Sequence, residues 1–138
     1  MPETNVERYA RILEAFNHEG IAGVMPFFAD DVEVYDPDLP RGPYRGPDAV
    51  RTAAEMLMSG FEEVRIEASR LLPAGDRVVA LLHTYAKGER DGLVIEALTA
   101  HTITFRDGKI AYWRIYLDRA EALSDAGLDP ELATLGQP

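Results

Sequence analysis

Leu93-Val94-Ile95-Glu96-Ala97-Leu98-Thr99-Ala100-His101-Thr102-Ile103-Thr104-Phe105, then Arg106-Asp107-Gly108-Lys109, then Ile110-Ala111-Tyr112-Trp113-Arg114-Ile115-Tyr116-Leu117, is the stretch that decides the fold. Two strand-forming runs around an Asp-Gly pair predict an antiparallel hairpin. Toward the N-terminus, Arg77 to Ala86 reads as a further strand, bounded by turns at Lys87 to Gly92 and at Pro73-Ala74-Gly75-Asp76. Val64-Arg65-Ile66-Glu67-Ala68 alternates cleanly and gives one more.

Helical periods come first in the chain. Val6, Tyr9, Ala10, Leu13 and Phe16 make one stripe of a helix from about Glu3 to Asn17. Ile21, Val24, Met25 and Phe28 restart the period over a shorter helix, with Pro26 in its first turns. Val32 to Tyr35 alternates as a brief strand. Asp36 to Gly46 holds three Pro and two Gly in eleven residues, a loop with few conformations open to it. Pro47 suits a first helical position, and Ala49, Val50, Ala53, Met56 and Leu57 carry a third helix to about Ser59-Gly60. Asp118 to Ala126 suggests a short terminal helix, and residues 127–138 read as a tail. Helices followed by a run of strands predict a single α+β domain over residues 1–126, with helices packed on one curved sheet.

Composition limits function by exclusion. The 138 residues are 46% hydrophobic and 28% charged, as in one globular domain. A net charge of -10 repels polyanions, so neither nucleic acid nor an anionic membrane is an expected partner. There is no Cys, hence no disulfide, thiolate ligand or Cys nucleophile. The N-terminus is acidic and polar where a secretion signal is basic and then apolar, and the longest uncharged stretch, Gly20 to Ala29, is about half a bilayer crossing. A cytoplasmic protein is the expectation. No dinucleotide or nucleotide phosphate loop and no Gly-x-Ser-x-Gly elbow occurs. His18, His83 and His101 lie far apart in sequence, so neither a metal nor another cofactor is expected.

Three segments carry a resemblance: Phe28-Ala29-Asp30-Asp31-Val32-Glu33-Val34-Tyr35-Asp36-Pro37, Arg45-Gly46-Pro47-Asp48-Ala49-Val50 and Phe105-Arg106-Asp107-Gly108-Lys109-Ile110. Together they resemble the nuclear-transport-factor-2-like superfamily, within it the ketosteroid isomerases and SnoaL-like polyketide cyclases, over about residues 5–118. The resemblance implies a cone: a curved antiparallel sheet with three N-terminal helices enclosing an apolar pocket. It implies less about activity, because the fold hosts isomerases, cyclases, dehydratases, epoxide hydrolases and proteins without known catalysis.

Residue by residue, Asp36 falls where the isomerases place their general base. A carboxylate at the mouth of an apolar pocket has its charged form disfavoured, which makes it a proton acceptor near neutral pH; the alternative is a solvated cap on a turn. His101 falls where the isomerases hold an oxyanion donor, and Ala97, Thr99, Ile103 and Phe105 share its strand face; the alternative is a core histidine satisfied by a neighbour. Scytalone dehydratases use two strand histidines and an Asp ending the first helix, and those places hold His83, His101 and the neutral Asn17. A one-residue shift of the pleat decides whether His83 faces in or out. The isomerases' first-helix tyrosine falls on Ile12, with Tyr9 one turn earlier. Limonene epoxide hydrolases need an Arg and two Asp where this chain has Thr99, His101 and Ile115, which excludes that chemistry.

Trp113, on one face with Ala111 and Ile115, is either a flat wall with one N–H donor for a ring-shaped ligand or ordinary core. Arg114 and Tyr116 on the other face suit a homodimer contact. Arg41 and Arg45 either attract an anionic ligand or are solvated surface. The expected function is a cofactor-free enzyme, of isomerase, cyclase or dehydratase type, moving a proton next to a carbonyl of a hydrophobic ring-containing small molecule. Asp36, His101 and His83 are the catalytic candidates, and Tyr9, Ile12, Asn17, Thr99, Trp113 and Ile115 are the substrate contacts. The alternative is a small-molecule-binding or dimeric interaction domain of the same fold without catalysis.

Overall fold

The computed structural model describes residues 2–37 and 43–134. Helix α1 (Asn5–Glu19) begins at a capping box: Thr4 Oγ1 accepts from the Glu7 N–H at 3.1 Å, and the Thr4 N–H donates to Glu7 Oε1 at 3.0 Å. Its buried line is Tyr9, Ile12 and Phe16, so the stripe is rotated from the expected one: Ile12 is 1% exposed while Ala10 faces solvent. The second helix is a short α2 (Ile21–Val24) that passes into a 3-10 turn, Met25–Phe27, at Pro26. Gly23 lets α2 lie against α1, since a Cβ there would stand 2.6 Å from the Ala15 carbonyl oxygen. Phe28, expected within this helix, instead opens strand β1 (Phe28–Tyr35).

After β2 (Tyr44–Arg45), Pro47 starts α3 (Pro47–Met58), which buries Val50 and Ala53 and leaves Met56 exposed. Four long strands follow: β3 (Phe61–Ala74), β4 (Arg77–Gly88), β5 (Val94–Arg106) and β6 (Lys109–Tyr116). Asp107 and Gly108 both take positive φ, 52° and 77°, as a tight hairpin turn with the right twist requires. Strand order is β2-β1-β6-β5-β4-β3. The sheet is mixed rather than wholly antiparallel, because β1 returns beside β6 in the same direction, with Val34 opposite Trp113. Bulges in β3 at Phe61/Glu63 and Ala68/Arg70 and at Thr104/Phe105 in the β5–β6 pair bend the sheet around the helices.

Both faces of β4 are buried. Val78, Ala80 and Leu82 face α1–α3 and join Tyr9, Ile12, Val32, Ile103 and Ile110 in the main core. Val79 and Leu81 face the other way, onto α4 (Arg119–Asp125), with Ala100, Tyr116, Ala122 and Leu123. Of the segment expected as a tail, Pro130–Thr134 forms a 3-10 turn, and Leu128 and Leu132 pack on this second cluster. Tyr116 is therefore not the exposed dimer residue expected: it is 6% exposed, and its hydroxyl donates to Asp125 of α4 at 2.8 Å. Arg114 stacks between the rings of Tyr35 and Tyr116. Arg45 pairs with Glu33 at 2.7 Å, while Arg41 lies outside the described residues. Among the described residues, no helix is long and apolar enough to cross a membrane.

Candidate functional site

The concave face of the sheet and α1–α3 enclose a cavity of about 300 Å3. That is the lower end of the range, about 300–1,000 Å3, in which small-molecule sites fall. Its walls follow from the pleat. From β5, Ala97, Thr99 and His101 face inward on alternate residues; from β6, Trp113 and Ile115; from β4, Thr84 and Ala86. Helix α1 lays Tyr9, Ile12 and Phe16 across the opposite wall, and Asp36 enters just past the end of β1.

Seven of the nine candidate residues meet here: Asp36, His101, Tyr9, Ile12, Thr99, Trp113 and Ile115. The other two do not. His83 alternates with the inward Leu82 and Thr84, so it projects to the opposite face. There its ring stacks on Tyr85 at 4.3 Å, with Tyr85 Oη 3.2 Å from Nδ1 and Glu96 Oε2 3.4 Å from Nε2. Asn17 sits outside the cavity lining and binds the backbone of β3: Nδ2 donates to the Ile66 carbonyl at 2.7 Å, and the Ile66 N–H donates to Oδ1 at 2.9 Å. With His83 and Asn17 elsewhere, the dehydratase-like trio does not assemble. Thr84 is the polar wall residue that sequence reasoning missed; the same pleat parity that turns His83 outward brings it in.

Charge within the cavity is sparse. Asp36, 3% exposed, is the one carboxyl group of the described lining. His101 is 8% exposed, and burial holds its imidazole down to about 3, so the ring is neutral at physiological pH. Burial likewise pushes the Tyr9 phenol up, keeping it protonated. The Trp113 indole Nε1–H donates to His101 Nδ1 at 2.9 Å, with the two rings 5.5 Å apart and tilted by 59°. Phe28 also packs on Trp113, with ring centroids 6.3 Å apart and tilted by 51°.

This arrangement offers one proton acceptor, a few neutral donors and apolar walls. It suits polarisation of a carbonyl and removal of a neighbouring proton, and among the described lining residues no Lys or Arg offers itself to a phosphate or carboxylate. Nor do the described residues include three His, Asp or Glu placed to hold a metal.

Comparison with known proteins places the chain. The model of the SnoaL-like domain family matches residues 6–113. No curated protein matches. Among solved structures, an NTF2-like protein of unknown function from Burkholderia pseudomallei is similar at 23% identity and a TM-score of 0.74, over 90% of this chain and 97% of that one. A protein of ketosteroid isomerase-like fold from Catenulispora acidiphila, in complex with trimethylamine, matches at 16% identity and 0.73, over 93% and 98%. A Mycobacterium tuberculosis protein in complex with estradiol-17beta-hemisuccinate matches at 15% and 0.68, over 79% and 89%. At these identities the likeness is one of fold. With a family model spanning most of its length, the chain belongs to the SnoaL-like domain family.

Proposed function

We propose that this protein is a cofactor-independent enzyme that transfers a proton next to a carbonyl in a hydrophobic, ring-containing small molecule. The observation that carries this is the placement of Asp36 and His101 in the lining of one otherwise apolar cavity. Asp36 takes the proton from the carbon beside the carbonyl: the C–H bond breaks, an O–H forms on the carboxylate, and the electron pair moves to the carbonyl oxygen. His101 donates a hydrogen bond to that oxyanion. The enolate then regains the proton at another carbon (isomerisation), attacks a second carbonyl (cyclisation) or expels a β-hydroxyl as water (dehydration). Neighbours of the same fold crystallised with small molecules support a ligand in the cavity.

Deuterium exchange into the α-position of cyclic ketones in D2O reports the step all three reactions share. Asp36→Asn is expected to abolish exchange while ligand affinity stays nearly unchanged. His101→Ala is expected to slow it about 100- to 1000-fold, as for the loss of one oxyanion donor. Near-wild-type exchange in Asp36→Asn removes Asp36 as the base.

Binding without catalysis is the second reading, and the cavity's shortage of polar groups favours it; affinity without exchange for every ketone tried would establish it. A homodimer belongs to the same proposal. On the outer face Val94 and Leu98 remain 57% and 37% exposed, apolar area that isologous pairing would cover. Light scattering showing a monomer at tens of micromolar would overturn it.

A further inference from the structure

A neutral imidazole carries its proton on one nitrogen only, and the partner of the other nitrogen decides which. An indole N–H can donate and cannot accept. Since Trp113 Nε1–H points at His101 Nδ1 from 2.9 Å, Nδ1 must present its lone pair and the ring proton must sit on Nε2. Among the described residues nothing else hydrogen-bonds to the ring.

The contact is built into the sheet. His101 lies opposite Ile115 and Trp113 opposite Ile103, so Trp113 is the diagonal neighbour of His101 on the same inner face. Phe28 packs against the same indole, with ring centroids 6.3 Å apart.

We propose that Trp113 is a positioning residue: by donating to Nδ1 it fixes His101 as the neutral Nε2–H tautomer, so that the ring offers the ligand one donor and no basic lone pair. The proposal rests on the reading of His101 as oxyanion donor, and it settles a division of labour that the bare presence of a histidine leaves open. The opposite tautomer would turn a lone pair toward the ligand, competing with Asp36 for the proton and repelling a developing oxyanion. With the tautomer fixed, His101 leaves proton removal to Asp36, and the ligand atom that meets Nε2–H must itself be an acceptor such as a carbonyl oxygen.

The test is long-range 1H–15N correlation NMR on histidine-labelled, ligand-free protein, which reads the tautomer without any turnover. The expected spectrum shows His101 with Nε2 protonated and Nδ1 bare from pH 5 to 8, and Trp113→Phe, which keeps an aromatic wall and deletes the donor, is expected to admit the Nδ1–H form. A bare Nε2 in the wild type overturns the proposal, and so does a tautomer unchanged in Trp113→Phe. If that variant does not fold, scalar coupling across the N–H···N bond between Trp113 and His101 in the wild type decides the matter: its presence supports the proposal and its absence overturns it. With a ketone that exchanges, Trp113→Phe is expected to lower kcat about two- to tenfold, the scale of one neutral hydrogen bond, with KM nearly unchanged. The correct tautomer in a protein that exchanges no ketone would count against the proposed reaction and leave the tautomer assignment standing.

Discussion

Asn17 holds both backbone groups of Ile66, its Nδ2 donating to the carbonyl and its Oδ1 accepting from the N–H. The pair ties the end of α1 to β3, the outermost strand of the sheet among the described residues. A residue that docks this way acts on stability and not on chemistry. Asn17→Ala is expected to destabilise the fold by about 1–2 kcal/mol, two modest hydrogen bonds, with ligand affinity unaltered. Asn17→Asp should be worse at neutral pH than at pH 4, because an ionised carboxylate has no donor for the Ile66 carbonyl. Denaturant midpoints at both pH values check this, and equal stability of Asn17→Asp and wild type would refute the clamp.

The approach of α2 to α1 is set by a single missing methyl. A Cβ on residue 23 would lie 2.6 Å from a backbone oxygen, which has no flexible end to swing aside. Gly23→Ala is expected to cost about 1–3 kcal/mol through this overpacking. Thermal unfolding measures it, and an unshifted midpoint would mean the two helices separate freely.

Leu123 is fully buried on the convex side of the sheet, against the cluster of Val79, Leu81 and Ala100. Leu123→Ala should destabilise the domain by about 2–5 kcal/mol, the range for truncating a core leucine. Because the cavity lies on the concave side, ligand affinity in native conditions is expected to stay unchanged. Calorimetry with and without ligand separates the two effects.

This second core also explains where the sequence was legible and where it was not. Val78-Val79-Ala80-Leu81-Leu82 is apolar throughout because β4 is covered on both faces, so nothing in the pattern fixes its pleat, and whether His83 or Thr84 enters the cavity stays undetermined. Strand β5 is different: its second half ends in an Asp-Gly turn that sets the register, and His101 follows from counting back along the strand. Asp36 was visible through its motif. Asn17 was visible as a position but not as a clamp, since its partner, Ile66, is 49 residues away. The parallel β1–β6 pairing was equally hidden, because local pattern shows that a strand exists and not which edge it joins.

His101 gives a pH signature of its own. In the unfolded chain an imidazole titrates near its ordinary value of about 6.5, whereas burial holds the folded group down to about 3. Between these values the unfolded state binds the extra proton, so stability is fully present above about pH 6.5 and falls as the pH drops. The slope from this one group approaches about 1.4 kcal/mol per pH unit. Glu3 and Glu7, whose carboxyls are held low by Arg11 and by the Thr4 cap, lose their contributions only below their own ordinary value of about 4.5. The window from pH 6.5 to 5 therefore lies clear of these two carboxyls. His18 and His83 are common to wild type and variant, so the difference between wild type and His101→Gln cancels whatever they contribute. Chemical denaturation across that window is expected to show wild type losing stability more steeply than His101→Gln, with the lines converging or crossing toward pH 5. Parallel lines would mean that His101 takes up a proton in the folded protein as easily as in the unfolded chain, so that burial does not hold its ring neutral.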